Sequence, residues 1–205
     1  MKQWDLFPTK VWSHELNYDN EALKRDAYAF EAEKGNTDVI SNNGGYQSKR
    51  YYENEDFHRQ IISNLPLKDD DLKGKFGISS WININRKTNS NNKHFHFDSG
   101  IFLSGVYYVK VPEDSGRIRF YDPRPTLIST AADQLYFEES AWMWLQPIEG
   151  AVLYFPSWLE HDVEPSESDE DRISIAFNII APKELFYGKQ PDGKVSKIEQ
   201  EGSEV

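Results

Sequence analysis

From Trp81 to Ile180 the chain is written in twos, and that rhythm limits the fold more than any other feature. Trp81-Ile82-Asn83-Ile84-Asn85 alternates, which puts both asparagines on one face of an extended segment. Phe102 to Val111 is rich in aromatic and β-branched residues, and Pro112-Glu113-Asp114-Ser115-Gly116 closes it with a turn. Arg117-Ile118-Arg119-Phe120-Tyr121 alternates again, and Trp142-Met143-Trp144-Leu145 is apolar on both faces. Pro147-Ile148-Glu149-Gly150 turns the chain into Ala151-Val152-Leu153-Tyr154-Phe155, and Arg172 to Ile180 forms the last strand. Many short strands between Gly/Pro turns predict antiparallel strands closed into a sandwich or barrel. Helix signals sit in the N-terminal third. Asn20 to Lys34 is built of helix formers, places Leu23, Ala27 and Phe30 on one stripe, and ends at Gly35-Asn36. A weaker helix is expected over Asn54 to Leu65, with Phe57, Ile61 and Ile62 on one face. These helices should buttress one sheet. We expect a single domain over residues 1–187, followed by a polar, mobile tail at 188–205.

Composition narrows the chemistry. The 205 residues contain no cysteine, so disulfide frameworks, thiolate metal sites and cysteine nucleophiles are excluded together. Any metal must sit on His, Asp or Glu. The 29 aromatic residues are too many for a disordered chain, and no apolar run reaches the length of a bilayer crossing. Residues 1–8 lack the apolar core of a signal peptide, so a cytoplasmic protein is expected. A net charge of -11 argues against a protein that grips nucleic acid through its phosphates. That charge is mostly local, because Glu160 to Asp171 holds seven acids and no base. Between Leu72 and Leu159 there are nine bases and eight acids, so the part that builds most of the barrel is nearly neutral.

Two of the five histidines lie in Lys93-His94-Phe95-His96-Phe97-Asp98. If this segment is extended, His94, His96 and Asp98 share one face and Phe95 and Phe97 the other. An imidazole and a carboxylate two residues apart can reach one cation, and His161 is the natural third ligand. Two histidines and a carboxylate on one side of a metal form the facial triad of non-haem Fe(II) sites, although zinc accepts the same donors. His94 can also be a hydrogen-bonded strand residue. His14 and His58 read as ordinary surface or helix positions. Eleven residues beyond His161, Arg172 and Ser174 share a strand face. A guanidinium fork beside a hydroxyl suits a buried carboxylate. The bland alternative is a surface arginine offsetting the acidic loop before it.

Taken in order, these motifs resemble the 2-oxoglutarate- and Fe(II)-dependent dioxygenases, and more narrowly a family of small 2-oxoglutarate–Fe(II) oxygenases of marine bacteria and phages. The resemblance runs from about Leu6 to Asn178. It is carried by Ser41-Asn42-Asn43-Gly44-Gly45-Tyr46-Gln47-Ser48, Trp81 to Asn85, His94-Phe95-His96, Ser104-Gly105-Val106-Tyr107-Tyr108, Phe155 to His161 and Arg172 to Asn178. It implies a mainly β fold, a double-stranded β-helix (cupin-like jelly roll) with buttressing N-terminal helices. It implies that His96, Asp98 and His161 bind Fe(II), with His94 as the alternative third ligand, and that Arg172 and Ser174 hold the distal carboxylate of 2-oxoglutarate. Asn85 and Tyr107 are expected to line the same pocket. The implied reaction consumes O2, releases succinate and CO2, and hydroxylates a C–H bond of a small-molecule or peptidyl substrate.

Two rival readings remain open at this level. One is a non-enzymatic cupin-like metal-binding or interaction module, which has no need of Arg172-x-Ser174. The other is a metal-dependent enzyme that does not use 2-oxoglutarate. Trp142, Trp144 and Trp158 are expected in the core, and Gly44-Gly45 reads as a turn. Arg117, Arg119 and Arg124 either meet an anionic substrate or sit on half-exposed strands. Oligomeric state is open, with a homodimer as one option.

Overall fold

The computed structural model describes residues 7–34, 40–49, 54–68, 70–96, 100–123 and 142–182. Asp98, Arg124 and the tail expected at 188–205 lie outside these residues. Two helices form where the sequence places them, α1 (Asn20–Lys34) and α2 (Glu55–Ser63). Asn54 caps α2, its side chain accepting from the Phe57 N–H at 3.0 Å, which satisfies one of the free donors of the first turn. A short 3-10 helix covers Asp70–Lys75.

Among the described residues, eleven strands make two antiparallel sheets. The larger contains β1 (Trp12–Glu15), β9 (Ala151–Pro156), β6 (Ile101–Lys110), β11 (Arg172–Ile180), β4 (Gly77–Asn85) and β3 (Tyr46–Gln47), in that spatial order. The smaller contains β2 (Asn42–Asn43), β5 (Ser90–His94), β10 (His161–Val163), β7 (Ile118–Tyr121) and β8 (Trp142–Leu145). The antiparallel strands are those the alternation predicts, and their arrangement is the jelly-roll double-stranded β-helix that the resemblance implies.

Alternation along the larger sheet divides the interior. Ile82, Ile84, Tyr107, Val152, Ile173, Ile175, Phe177 and Ile179 point to one face, where Leu23 and Ala27 of α1 and Phe57 and Ile61 of α2 pack on them. The helices therefore seal one face of this sheet, as expected from the sequence. The other face meets the smaller sheet through Val106, Tyr108, Ile118, Phe120, Leu153 and Phe155. That second cluster fills only part of the space between the sheets. The rest is the pocket.

Segment 41–48 runs beside the β4–β5 hairpin and joins the two sheets at their edges, β2 pairing with β5 and β3 with β4. Its corner is Gly44-Gly45, at φ +75° and +72°. A Cβ on Gly45 would stand 2.6 Å from the Ile84 carbonyl oxygen, so these glycines serve the turn.

The tryptophans depart from expectation. Trp142, Trp144 and Trp158 are 40%, 45% and 46% exposed, not core. β8 is an edge strand, and its Trp142 and Trp144 pair with Tyr121 and Arg119 on the outer face. There Arg117 lies over the Trp144 ring at 4.2 Å and Arg119 over Trp142 at 5.4 Å. These arginines also hold acids. Arg117 grips Glu164 at 2.7 and 3.0 Å, and Arg119 grips Asp162 at 3.0 and 2.6 Å. They are structural partners of the acidic loop and leave no role for themselves at an anionic substrate.

Candidate active site

Three imidazoles come together on the inner face of the smaller sheet. His161 opens β10 and pairs directly with His94 at the end of β5, and His96 follows two residues later. Their candidate ligand atoms all lie within 4.8 Å of one another. Ring centroids are 4.3 Å apart for His94–His161, 5.0 Å for His94–His96 and 5.3 Å for His96–His161. Phe155 meets the His161 ring edge-on at 4.8 Å, and Trp81 lies 5.7 Å from His96.

The backbone fixes how two of these rings present themselves. His161 Nδ1 is 2.9 Å from the Leu159 carbonyl, and His94 Nδ1 is 2.7 Å from the Asn92 carbonyl. A carbonyl oxygen only accepts, so each Nδ1 carries the proton and each Nε2 keeps its lone pair for a metal. Burial pushes the His161 pKa well below its ordinary value, and His94 and His96 add to that, against the opposing pull of the Leu159 carbonyl. Burial also lowers His94, against the Asn92 carbonyl and Asp162. Both rings are neutral at neutral pH, the form that binds a cation.

Opposite them stands Arg172, 2% exposed, at the start of β11. Its guanidinium lies 5.3 Å from the Tyr108 ring, and its Nε is buried without a hydrogen-bond partner. No carboxylate pairs with it among the described residues. Burial holds its pKa down, while neighbouring Tyr108 favours the charged form. A buried cation without a counter-ion is costly in any fold, and its natural relief is an anionic ligand. Ser174, two residues on, lines the same pocket. The pocket encloses about 490 Å³ of non-protein space, counted to its open mouth, and is walled by both sheets. Gly105 also lines the pocket, and it must be glycine because a Cβ there would stand 2.3 Å from the Phe177 ring and 2.4 Å from the Leu153 carbonyl oxygen.

The expected residues fall into three groups. His94, His96, His161, Arg172 and Ser174 all line one pocket. Asn85 sits across the ladder from Arg172 and donates to Asn91 Oδ1 at 3.2 Å, so it reaches the pocket through Asn91. Tyr107 needs correction. It pairs with Ile175 and shares that residue's face, where its hydroxyl donates to Asn20 Oδ1. Tyr108, which pairs with Ser174, takes the inward position instead. Missed in the sequence were Trp81, Asn83, Asn91, Ser41 and Gln47 as lining residues. Trp81 and Asn83 were detectable, since they share the parity of Asn85; the others carry no local signal.

Comparison with known proteins follows the same lines. Residues 79–178 match the family model described as "Putative 2OG-Fe(II) oxygenase". That stretch holds the three histidines, Arg172 and Ser174. No curated protein matches the sequence. Among solved structures, the chain resembles a Pseudomonas putida prolyl-4-hydroxylase (14% identity, TM-score 0.58, covering 85% of this chain and 94% of that one). It also resembles a viral collagen prolyl hydroxylase from Paramecium Bursaria Chlorella virus-1, solved as a 2OG complex (13%, 0.53, 84% and 96%). A third is a prolyl hydroxylase from Trichoplax adhaerens, in complex with a hypoxia inducible factor peptide fragment (14%, 0.59, 88% and 87%). At these identities the structural likeness speaks for the jelly-roll fold alone.

Proposed function

We propose, from the match of residues 79–178 to the 2OG-Fe(II) oxygenase family, how the residues of this chain divide the work. It is an oxidoreductase that uses Fe(II) and 2-oxoglutarate, and it therefore takes O2 and an organic substrate. Both groups fit the residues present: imidazoles suit Fe(II), and a buried guanidinium with an unbonded Nε suits a carboxylate. We assign the metal to His94, His96 and His161. We assign the distal carboxylate of 2-oxoglutarate to Arg172 and Ser174. When bound, the iron and 2-oxoglutarate supply the oxidising power drawn from O2, with succinate and CO2 released and a C–H bond hydroxylated.

The protein's own part is orientation, charge and dryness. The Leu159 and Asn92 carbonyls hold two imidazoles in the metal-binding tautomer. Arg172 neutralises the cosubstrate carboxylate while the Ser174 hydroxyl donates to it. Trp81, Val106, Ile118 and Phe155 give the pocket apolar walls that exclude water from the reacting centre. No helix among the described residues is long and apolar enough to cross a membrane. A cytoplasmic setting, which keeps iron reduced, is part of the proposal.

The observation that carries this reading is the buried Arg172, without an acidic partner among the described residues, in one pocket with three mutually adjacent imidazoles. A non-enzymatic metal module would have no use for that cation. Anaerobic addition of Fe(II) and 2-oxoglutarate should produce a weak visible charge-transfer band. Its absence from the wild type, or its survival in Arg172→Ala, sinks the assignment. The third ligand is tested separately. His94→Ala should weaken Fe(II) binding at least tenfold while Asp98→Ala leaves it within about threefold, and the reverse order transfers the third position to Asp98.

A further inference from the structure

One wall of the pocket has no part in holding iron or 2-oxoglutarate as assigned above. It is made by Ser41, Gln47, Asn83 and Asn91, from the corner segment and the β4–β5 hairpin. Part of it is already organised. Asn85 Nδ2 donates to Asn91 Oδ1 at 3.2 Å, and Asn91 Nδ2 is 3.5 Å from Ser41 Oγ. Asn83 is different. Its residue is 7% exposed, it lines the pocket, and its Oδ1 is buried with no hydrogen-bond partner. Buried acceptors are rarely left so, and one that borders a cavity is satisfied by a donor arriving in the cavity.

Charge restricts what that donor is. Besides the three imidazoles and Arg172, the described lining residues carry no ionisable group. A cationic substrate group would meet Arg172 and the metal without a counter-ion. An anionic one would compete with 2-oxoglutarate for the same guanidinium. The wall offers neutral donors and acceptors in equal measure, because carboxamides carry both.

We infer that this wall is the primary-substrate subsite, and that it takes an uncharged amide group whose N–H donates to Asn83 Oδ1. The amide carbonyl accepts from the neighbouring carboxamides or from Ser41, and Trp81 and Phe155 flank the adjoining carbon chain. The inference rests on the assignment of Arg172 and Ser174 to the cosubstrate, since Asn83 stands directly across the ladder from Ser174.

The test uses the anaerobic full-length protein loaded with Fe(II) and 2-oxoglutarate, with N-methylacetamide as the smallest peptide unit. Acetate, methylammonium and ethylene glycol serve as comparison probes. Paramagnetic broadening of probe protons reports proximity to the iron. N-methylacetamide should broaden at least fivefold more than each other probe, and Asn83→Leu and Ser41→Ala should each reduce that excess. In Asn83→Leu the charge-transfer band should persist with 2-oxoglutarate affinity within twofold of wild type. Equal or greater broadening of any comparison probe overturns the inference. So does a tenfold loss of 2-oxoglutarate affinity in Asn83→Leu, which would give Asn83 to the cosubstrate. A wild type with no charge-transfer band removes the cosubstrate assignment itself, whereas a normal band without amide preference removes only the substrate subsite.

Discussion

Strand β11 carries two surfaces of opposite character on one backbone. Ile173, Ile175, Phe177 and Ile179 face the helices and are buried among apolar neighbours. Arg172, Ser174 and Ala176 face the pocket. β4 repeats the division, with Ile82 and Ile84 on one side and Trp81, Asn83 and Asn85 on the other. On β11 and β4 the apolar face carries no unbonded buried polar atom, whereas the pocket face keeps a buried guanidinium nitrogen and a buried amide oxygen unbonded. Further along that polar side the pattern changes, since Ser104 donates to Asn178 Oδ1 at 2.8 Å. On these two strands the unsatisfied groups thus lie where ligands are proposed to bind. Stabilisation from one face holds in place the groups that the other leaves open, and a one-residue slip of register would exchange them.

Breaking each face should move stability in opposite directions. Phe177 is fully buried against Tyr154 and Gly105, so Phe177→Ala should cost about 3–5 kcal/mol and lower the urea midpoint sharply. Arg172→Met removes a buried charge that has no acidic partner among the described residues, and the ligand-free protein should gain roughly 1 kcal/mol or more. The same variant should lose the stabilisation conferred by 2-oxoglutarate, about 2.7 kcal/mol at a hundredfold excess over Kd. Thermal melts with and without the cosubstrate measure both. If Arg172→Met destabilises like Phe177→Ala, the arginine is a structural member of the core.

A subtler change sharpens the same contrast from outside the pocket. Arg86 joins Glu31 of α1 at 2.9 and 2.8 Å and lies 3.6 Å from Asp171, the residue before Arg172. Tyr28 of α1 also donates to Asp171 at 3.2 Å. The helix on the apolar side therefore helps fix where the pocket cation begins. Arg86→Gln should raise the KM for 2-oxoglutarate about twofold to fivefold, as expected for a pair worth roughly 0.5–1 kcal/mol, with kcat unchanged. Arg86→Lys should recover part of the loss. A fall in kcat with unchanged KM would disconnect this strut from Arg172.

How far the sequence foretold this division depends on parity. Trp81 to Asn85 and Arg172 to Ser174 declare their faces, because polar and apolar residues alternate cleanly. Helix α1 was equally legible from its stripe, while Gly35-Asn36, expected to close it, lies outside the described residues. Tyr107-Tyr108 was not. Two adjacent tyrosines give no parity signal, and the β11–β6 register shifts between Ile173 and Ser174, skipping Val109. That bulge decides which tyrosine lies beside Arg172. The tryptophans of β8 were misread for another reason. An edge strand can be apolar on its outer face when arginines cover the rings, and the covering Arg117 and Arg119 come from β7 and the turn before it. Ser41, Gln47 and Asn91 reach the pocket only through long-range pairing of short strands, which leaves no local pattern.

The smallest effect concerns the acidic loop, which the charge count made conspicuous and the structure ties down. Glu164 is held by Arg117, and that bond is the main cause of its carboxyl lying below the ordinary range, with burial opposing. A depressed carboxylate pKa means that the folded state binds its proton less readily than the unfolded chain does. The contribution is therefore complete above the ordinary carboxylate value of about 4.5 and disappears as the pH falls through the lower folded value. Arg117→Leu should lower the urea midpoint slightly at pH 7, and the gap to wild type should close on acidification below about pH 4.5. The pocket face should not share this dependence, since Arg172 has no carboxylate partner among the described residues. A gap that widens in acid, or one abolished by 2-oxoglutarate rather than by protons, would tie the loop to the ligand site and dissolve the separation between the two faces.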